Sequence, residues 1–363
     1  MRSTRFRGLL FAGPILILTL LFSACGTNPP ANTPTAKYQV GLVTDIGGLN
    51  DRGFNQLAHE GYEKAEKQYG FKDSVIQTAN SSDYVTNLTT SAKTNDLVIG
   101  VGFLMQGAID QVAKANPTKK FALVDGCATL PNQFDCDPLP NVTPLFFKEQ
   151  EAGCLVGAVA GQMELDGKAV VPKLLGANTI GAVGGIEVPA VDRYIAGYQF
   201  CAKKVNPNVK VVITYSNDFN DVSKCKDAAD AQIKQKQADI IFQVAGGCGV
   251  GALDAASADG VYGIGVDADQ SQIHPDSVIT SAIKRVDTAV FTISDLMEKD
   301  QYPADPINFP HFALSNDGVG AGPFNSAVPS DAQTLVKQYT DQIKSGALVP
   351  PQDCSPATTC ATS

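Results

Sequence analysis

The chain has no tryptophan and only three histidines, His59, His274 and His311, scattered along 363 residues. No C-x-x-C pair occurs. A structural zinc centre, which needs His and Cys at close spacing, is therefore not indicated. There is no G-x-S-x-G elbow to expose a nucleophilic serine. There is no G-x-x-x-x-G-K-[ST] loop to cradle nucleotide phosphates. Positive charge is scarce: 28 Lys and Arg face 37 Asp and Glu, a formal net charge of -9. Without a basic stripe, neither nucleic acid nor anionic lipid is an expected electrostatic partner. Beyond the first 25 residues no apolar run reaches the roughly 18 residues needed to span a bilayer.

What is present begins with a leader. Arg2, Arg5 and Arg7 form a positive start, and Leu9 to Phe22 is an apolar stretch too short for a comfortable span. Ser23 and Ala24 then precede Cys25, which resembles the bacterial lipobox apart from Phe22, where Leu is usual. Residues 1–24 read as a lipoprotein signal peptide and Cys25 as the lipidated N-terminus. Residues 25–36 (CGTNPPANTPTA) are rich in Pro, Asn and Thr and read as a tether. The three leader arginines account for part of the 28 basic residues, so the mature chain is more acidic still, near -12. The expected location is the extracytoplasmic face of the cell membrane, held by lipid only.

Nine cysteines less Cys25 leave eight, an even number that suits disulfides in an exported protein. Cys127 with Cys136 and Cys354 with Cys360 each close a short loop and are the expected pairs. Cys201 with Cys225 is a further option, joining neighbouring helices. Spacing alone leaves the pairing open.

From Lys37 onward short apolar runs alternate with helical patterns. QVGLVT, DLVIGV and KFALVD read as strands, with helices over 54–69, 84–93 and 106–115. The rhythm restarts after Pro144, with helices over 149–163, 190–204 and 222–235 and strands over 179–183, 210–215 and 239–244. The fold class expected is α/β, two doubly wound parallel-sheet lobes around a ligand cleft. Lobe 1 is assigned to 37–145 with about 265–300 returning to it. Lobe 2 is assigned to 146–264 with about 301–348, and 349–363 to an irregular tail.

In such sheets ligands lie beyond the carboxyl ends of strands. The stretch Thr44–Gln56 occupies that place. Gly47 and Gly48 allow a close turn, Asp45 is an acceptor, Phe54 offers a flat face and Asn55 both donates and accepts. The competing reading is a turn in which Asn50 or Asp51 caps a helix and Phe54 fills the core. Asp125 and Asp267 each end a strand, where a helix cap is the bland alternative. Lys284 follows an apolar run and competes with a surface lysine. Gly247, Cys248 and Gly249 open a G-x-G-x-x-G/A pattern with Asp267 twenty residues beyond Gly247, a dinucleotide fingerprint. It falls late in the chain, in an exported protein, which argues against a nicotinamide cofactor; no cofactor is expected.

The stretch TDIGGLNDRGFNQLAHEGY (44–62) resembles the opening motif of the basic membrane protein family. These are purine-nucleoside-binding lipoproteins of ABC importers with a type I periplasmic-binding-protein fold. The resemblance continues in VDRYIAGYQFCAKKVNP (191–207), DFNDVSKCKDAA (218–229), ADIIFQVAGGCGVG (238–251) and YGIGVDADQSQIHPDSVITSAIKRVD (262–287). It covers most of Lys37 to about Lys344. It implies that Asp45 and Asn55 read the base edge and that Phe54 and Phe219, from opposite lobes, sandwich the base. It further implies that Asp125, Asp267 and Lys284 hold the ribose hydroxyls, with the Gly247–Gly249 backbone close by. Arg52 and Gly53 stand where Lys and Ser are frequent, and Cys248 where Gly or a small hydroxyl residue is common. A bond from Cys248 to Cys154 would alter the cleft wall.

The resulting expectation is a monomeric binding protein, not an enzyme, that delivers a purine nucleoside to an ABC permease driven by a separate ATPase. Alternatives are a same-fold binder of a sugar or signalling molecule, an exported nucleoside hydrolase, or an oxidoreductase. Asp267-x-Asp269 is too sparse for the calcium site that a hydrolase would gather.

Overall fold

The computed structural model describes residues 35–353 apart from Asn132 and Phe134. The leader, Cys25 and the Cys354 to Cys360 pair lie outside the described residues.

The first lobe is built on β1 (Val40–Val43), α1 (Phe54–Tyr69), β2 (Val75–Ile76), α2 (Tyr84–Ala92), β3 (Leu97–Val101), α3 (Gln106–Ala115), β4 (Lys120–Val124) and β5 (Val142–Leu145). Its sheet is parallel throughout, in the order β2-β1-β3-β4-β5. β1 and β3 are buried along their whole length, as strands covered by helices on both faces must be. β5 falls within the 37–145 assigned to the first lobe but is not among the strands expected there. It carries Pro144, which lacks a ladder donor and is tolerated because β5 is an edge strand.

The second lobe follows with α4 (Glu149–Asp166), β6 (Thr179–Gly184), α5 (Pro189–Val205), β7 (Lys210–Tyr215), α6 (Val222–Lys236), β8 (Ile240–Val244), α7 (Gly249–Ala258), β9 (Tyr262–Asp267) and β10 (Val278–Lys284). The chain then runs through α8 (Val286–Glu298), β11 (Val319–Ala321) and α9 (Ser330–Lys344). The second sheet has the order β11-β10-β9-β8-β6-β7, parallel except for β11.

Both β9 and β10 belong to the second sheet. The return to the first lobe therefore begins near Val286, not near 265 as the sequence pattern implied. It consists of α8, which packs on α1. Gly61 makes that approach possible: a Cβ there would fall 2.2 Å from the Asp287 carbonyl oxygen. The lobes are joined by crossing segments that hydrogen-bond to one another. Lys148 N–H donates to the Phe312 carbonyl and Phe312 N–H to the Phe146 carbonyl, both at 2.9 Å. One buried cluster runs continuously through both lobes beside these crossings, with smaller clusters on their outer faces.

The disulfides are Cys127–Cys136, Cys154–Cys201 and Cys225–Cys248. The first is the pair expected from its short loop. The Cys201–Cys225 and Cys154–Cys248 options are overturned, because helix contacts dictate other partners. α4 and α5 meet backbone to backbone: Cβ atoms at Gly153 and Gly157 would lie 2.1 and 2.2 Å from the carbonyl oxygens of Tyr194 and Tyr198. That contact sets Cys154 against Cys201. Likewise Gly251 of α7 lets Val222 of α6 approach, which sets Cys225 against Cys248.

Candidate ligand-binding site

A cavity of about 710 Å³, counting its part open to solvent, lies between the lobes at the carboxyl ends of the strands. Asp45, Phe54, Asn55, Asp125, Phe219, Gly247, Asp267 and Lys284 all line it. These are eight of the nine ligand-site residues singled out from the sequence. The ninth, Gly249, does not line the cavity. It begins α7 and faces Gln243, whose side-chain oxygen would lie 1.7 Å from a Cβ at that position.

Each side chain is delivered by local physics. Asp45 follows β1. Its Oδ1 accepts from the Ile46 N–H at 2.8 Å and from the Tyr84 hydroxyl. Its Oδ2 lies over Gly102, where a Cβ would come within 2.2 Å, so only glycine fits beneath it. Asp51 caps α1: its carboxylate accepts from the N–H groups of Gly53, Asn55 and Gln56 at 3.0, 2.8 and 3.2 Å. The helix-capping reading of this loop and the cavity reading are thus both true, with Asp51 capping and Phe54 half-buried at the cavity wall. Asn55 is committed mainly to this loop. Its Oδ1 accepts from the Asp45 N–H at 3.0 Å, and its Nδ2 donates to Asp51 at 3.1 Å.

On the opposite lobe Phe219 lies over Gly185, where a Cβ would come within 2.4 Å of its ring. Its carbonyl accepts from the Cys248 N–H at 2.9 Å, which ties it to the Gly246–Gly247 wall.

Asp125 and Asp267 close β4 and β9 with φ of 64° and 61°, the left-handed region that Asp tolerates better than most residues. The turn aims both carboxylates into the cavity. Lys284 ends β10 and is 1% exposed. Its ammonium lies 2.5 Å from Asp125 Oδ2 and 3.0 Å from Glu149 Oε1. It also lies over the rings of Phe147 and Phe54, 4.8 and 5.3 Å from their centroids. A charge so buried needs such partners.

Burial pushes the Asp45 carboxyl up to about 6, against hydrogen bonds from Tyr84 and Ile46. Burial likewise raises Asp267 to about 7, with Lys284 opposing and Asp125 adding to the rise. Asp267 also accepts from the Tyr194 hydroxyl at 3.1 Å. Burial disfavours the Lys284 charge too, but Asp125, Glu149 and Asp267 outweigh it and hold the ammonium charged. Asp125 Oδ1 is buried with no hydrogen-bond partner among the described residues.

Sequence reasoning missed Asp51 as a cavity residue, and it missed Tyr84, Glu149 and Tyr194 altogether. Tyr194 and Glu149 sit in helices whose residues read as core, and only the lobe arrangement turns them toward the site. Tyr84 opens α2, far along the chain from Asp45.

Two parallel-rich lobes around a cleft whose walls come from the strand ends define a periplasmic-type solute-binding protein. The chain belongs to the Bmp family, described as ABC transporter substrate-binding protein PnrA-like, which matches residues 38–347. It is 32% identical over 349 residues to the ABC transporter nucleoside-binding protein BmpA of Lactococcus lactis subsp. cremoris, covering 90% of this chain and 92% of that one. It is 28% identical over 356 residues to an uncharacterized lipoprotein of Pyrococcus furiosus, covering 90% and 85%. The crystal structure of an ABC transporter system solute-binding protein from Aeropyrum pernix K1 superposes with a TM-score of 0.74 at 27% identity, covering 87% of this chain and 94% of that one. The fold is accordingly the type I periplasmic-binding-protein fold, in a family of transport binding proteins, not of enzymes. No helix among the described residues is long and apolar enough to cross a membrane.

Proposed function

We propose that this protein captures purine nucleosides and delivers them to an ABC permease. The observation that carries the reading is one cavity in which Phe54 and Phe219, from opposite lobes, share walls with Asp45, Asp125, Asp267 and Lys284. A nucleoside has a flat apolar base and a rim of donors and acceptors. Two aromatic faces suit the base, at about 1–3 kcal/mol of stacking per ring contact. Asp45 lines the cavity and suits the donors of a base edge, and Asn55 holds that loop and keeps one oxygen lone pair in reserve. The unpartnered Asp125 Oδ1, Asp267 and the third donor of Lys284 suit ribose hydroxyls, with the Gly247 backbone beside them.

Further parts of the reading rest on the sequence. Cys25 carries the lipid, residues 25–36 are the tether, and the protein works as a monomer outside the cytoplasm. Its partners are a permease and an ATPase on separate chains, and the site performs no chemistry. Calorimetric titration with inosine, guanosine and adenosine tests it, with a search for free base in the same samples. Saturable heat with no free base supports the reading. Silence with every nucleoside, or release of base, contradicts it.

A further inference from the structure

Gln270 follows Asp267 by three positions, is 3% exposed and does not line the cavity. Its amide is held in one orientation. Oε1 accepts from the Val266 N–H at 3.1 Å and from Gln243 Nε2 at 2.6 Å. Gln243 is oriented in turn, because its Oε1 accepts from the Ala245 N–H at 3.1 Å. Two backbone donors thus decide which end of each amide is oxygen. Glycines leave room for the pair. A Cβ at Gly265 would come within 2.7 Å of Gln270 Oε1, and one at Gly249 would strike Gln243. The Gln270 N–H also donates to Ser281 Oγ at 3.1 Å.

With Oε1 so engaged, Nε2 points across the cleft. It donates to the Arg52 carbonyl at 3.1 Å, in the first lobe. Arg52 has a φ of 62°, and it lies between Asp51, which caps α1, and Phe54, which lines the cavity. We propose that Gln270 is a positioning residue that latches the two lobes together, a rigid donor on one lobe gripping the turn that leads into Phe54 and Asn55 on the other. The Gln243–Gln270 pair then sets three walls in register: that loop, the Ala245–Gly247 turn and the strand end at Asp267. Gly249 serves the site through Gln243 without touching its contents. Opening the lobes breaks the Gln270–Arg52 bond, so the latch acts on escape of the ligand more than on its entry. The choice of ligand rests on the nucleoside reading above; the latch itself does not.

The test compares the purified protein with Gln270→Met, which keeps length but removes the donor, and Gln270→Glu, which keeps the acceptor toward Val266. Stopped-flow kinetics with inosine and small-angle scattering with and without inosine are read for each. The latch predicts dissociation about three- to ten-fold faster in both variants, the effect of one neutral hydrogen bond, with association unchanged. Unchanged dissociation, or association falling in step with melting temperature, overturns it. If the unsubstituted protein binds no inosine, the nucleoside reading fails and scattering decides the latch. A more compact unsubstituted protein upholds it, and equal dimensions overturn it. Should both variants fail to fold, the Gln270 side-chain amide of the unsubstituted protein is followed by NMR exchange. Protection from water upholds the latch, and exchange at the rate of a free amide overturns it.

Discussion

The Lys284 ammonium of the second lobe lies 2.5 Å from the Asp125 carboxylate of the first, at the floor of the cleft. The pair is almost wholly enclosed, so it joins the lobes where solvent cannot screen it. Removing one member strands the other, which costs about 3–5 kcal/mol in buried pairs. Lys284→Met is therefore expected to lower the melting temperature sharply. Adding Asp125→Asn should restore part of the loss, because the stranded charge is removed. Thermal unfolding of the single and double variants measures this, and independent additive effects would contradict the coupling.

The two phenylalanines should act on affinity and not on stability, since both are half-buried at the cavity wall. Phe54→Ala and Phe219→Ala are each expected to weaken inosine binding by about 1–3 kcal/mol, roughly five- to 150-fold. Phe219→Leu should lose less, because it keeps apolar area without the π-face. Calorimetry against inosine reads the change. Equal affinity in both alanine variants would remove the sandwich.

Acidity should oppose binding. Burial raises Asp45 to about 6 and Asp267 to about 7, so in the unliganded protein both take up protons as pH falls from 8 to 5. A ligand that donates hydrogen bonds to them selects the ionised forms and expels those protons. Affinity for inosine should then fall by roughly ten-fold or more between pH 7.5 and 5.5. The unliganded protein should change in the opposite sense. Its folded-state carboxyls bind protons more tightly than the unfolded chain does, so these two groups favour folding more as pH drops through the same window. Proton release on binding, measured in buffers of different ionisation enthalpy, checks the first point, and a flat profile would contradict it.

Peptide mapping under non-reducing conditions should recover Cys127–Cys136, Cys154–Cys201 and Cys225–Cys248. Replacing Cys154 and Cys201 together by Ala is expected to cost about 2–4 kcal/mol of stability. Recovery of a Cys201–Cys225 peptide would contradict the close α4–α5 contact.

Much of this arrangement is legible in the sequence. Strands buried on both faces read as apolar runs, and the helical pattern places α1 over Phe54–Tyr69 and α3 near Gln106–Ala115, where they lie. The eight cavity residues stand out because strand ends and one resemblance point to the same positions. What stays hidden depends on relations between distant segments. β11 is three residues, Val319–Ala321, two of them small, and only its pairing with β10 defines it. The disulfides follow helix contacts created by Gly153, Gly157 and Gly251, which spacing between cysteines does not encode. Gln270 looks like any loop glutamine until Arg52, 218 positions away, is placed opposite it.

The measurement that bears most directly on nucleoside capture is native mass spectrometry of the purified protein, with the retained small molecule released and identified. An intact purine nucleoside is expected, lost when Phe54 and Phe219 are both changed to Ala. A bound sugar without a base, or the same molecule retained by that double variant, would contradict it.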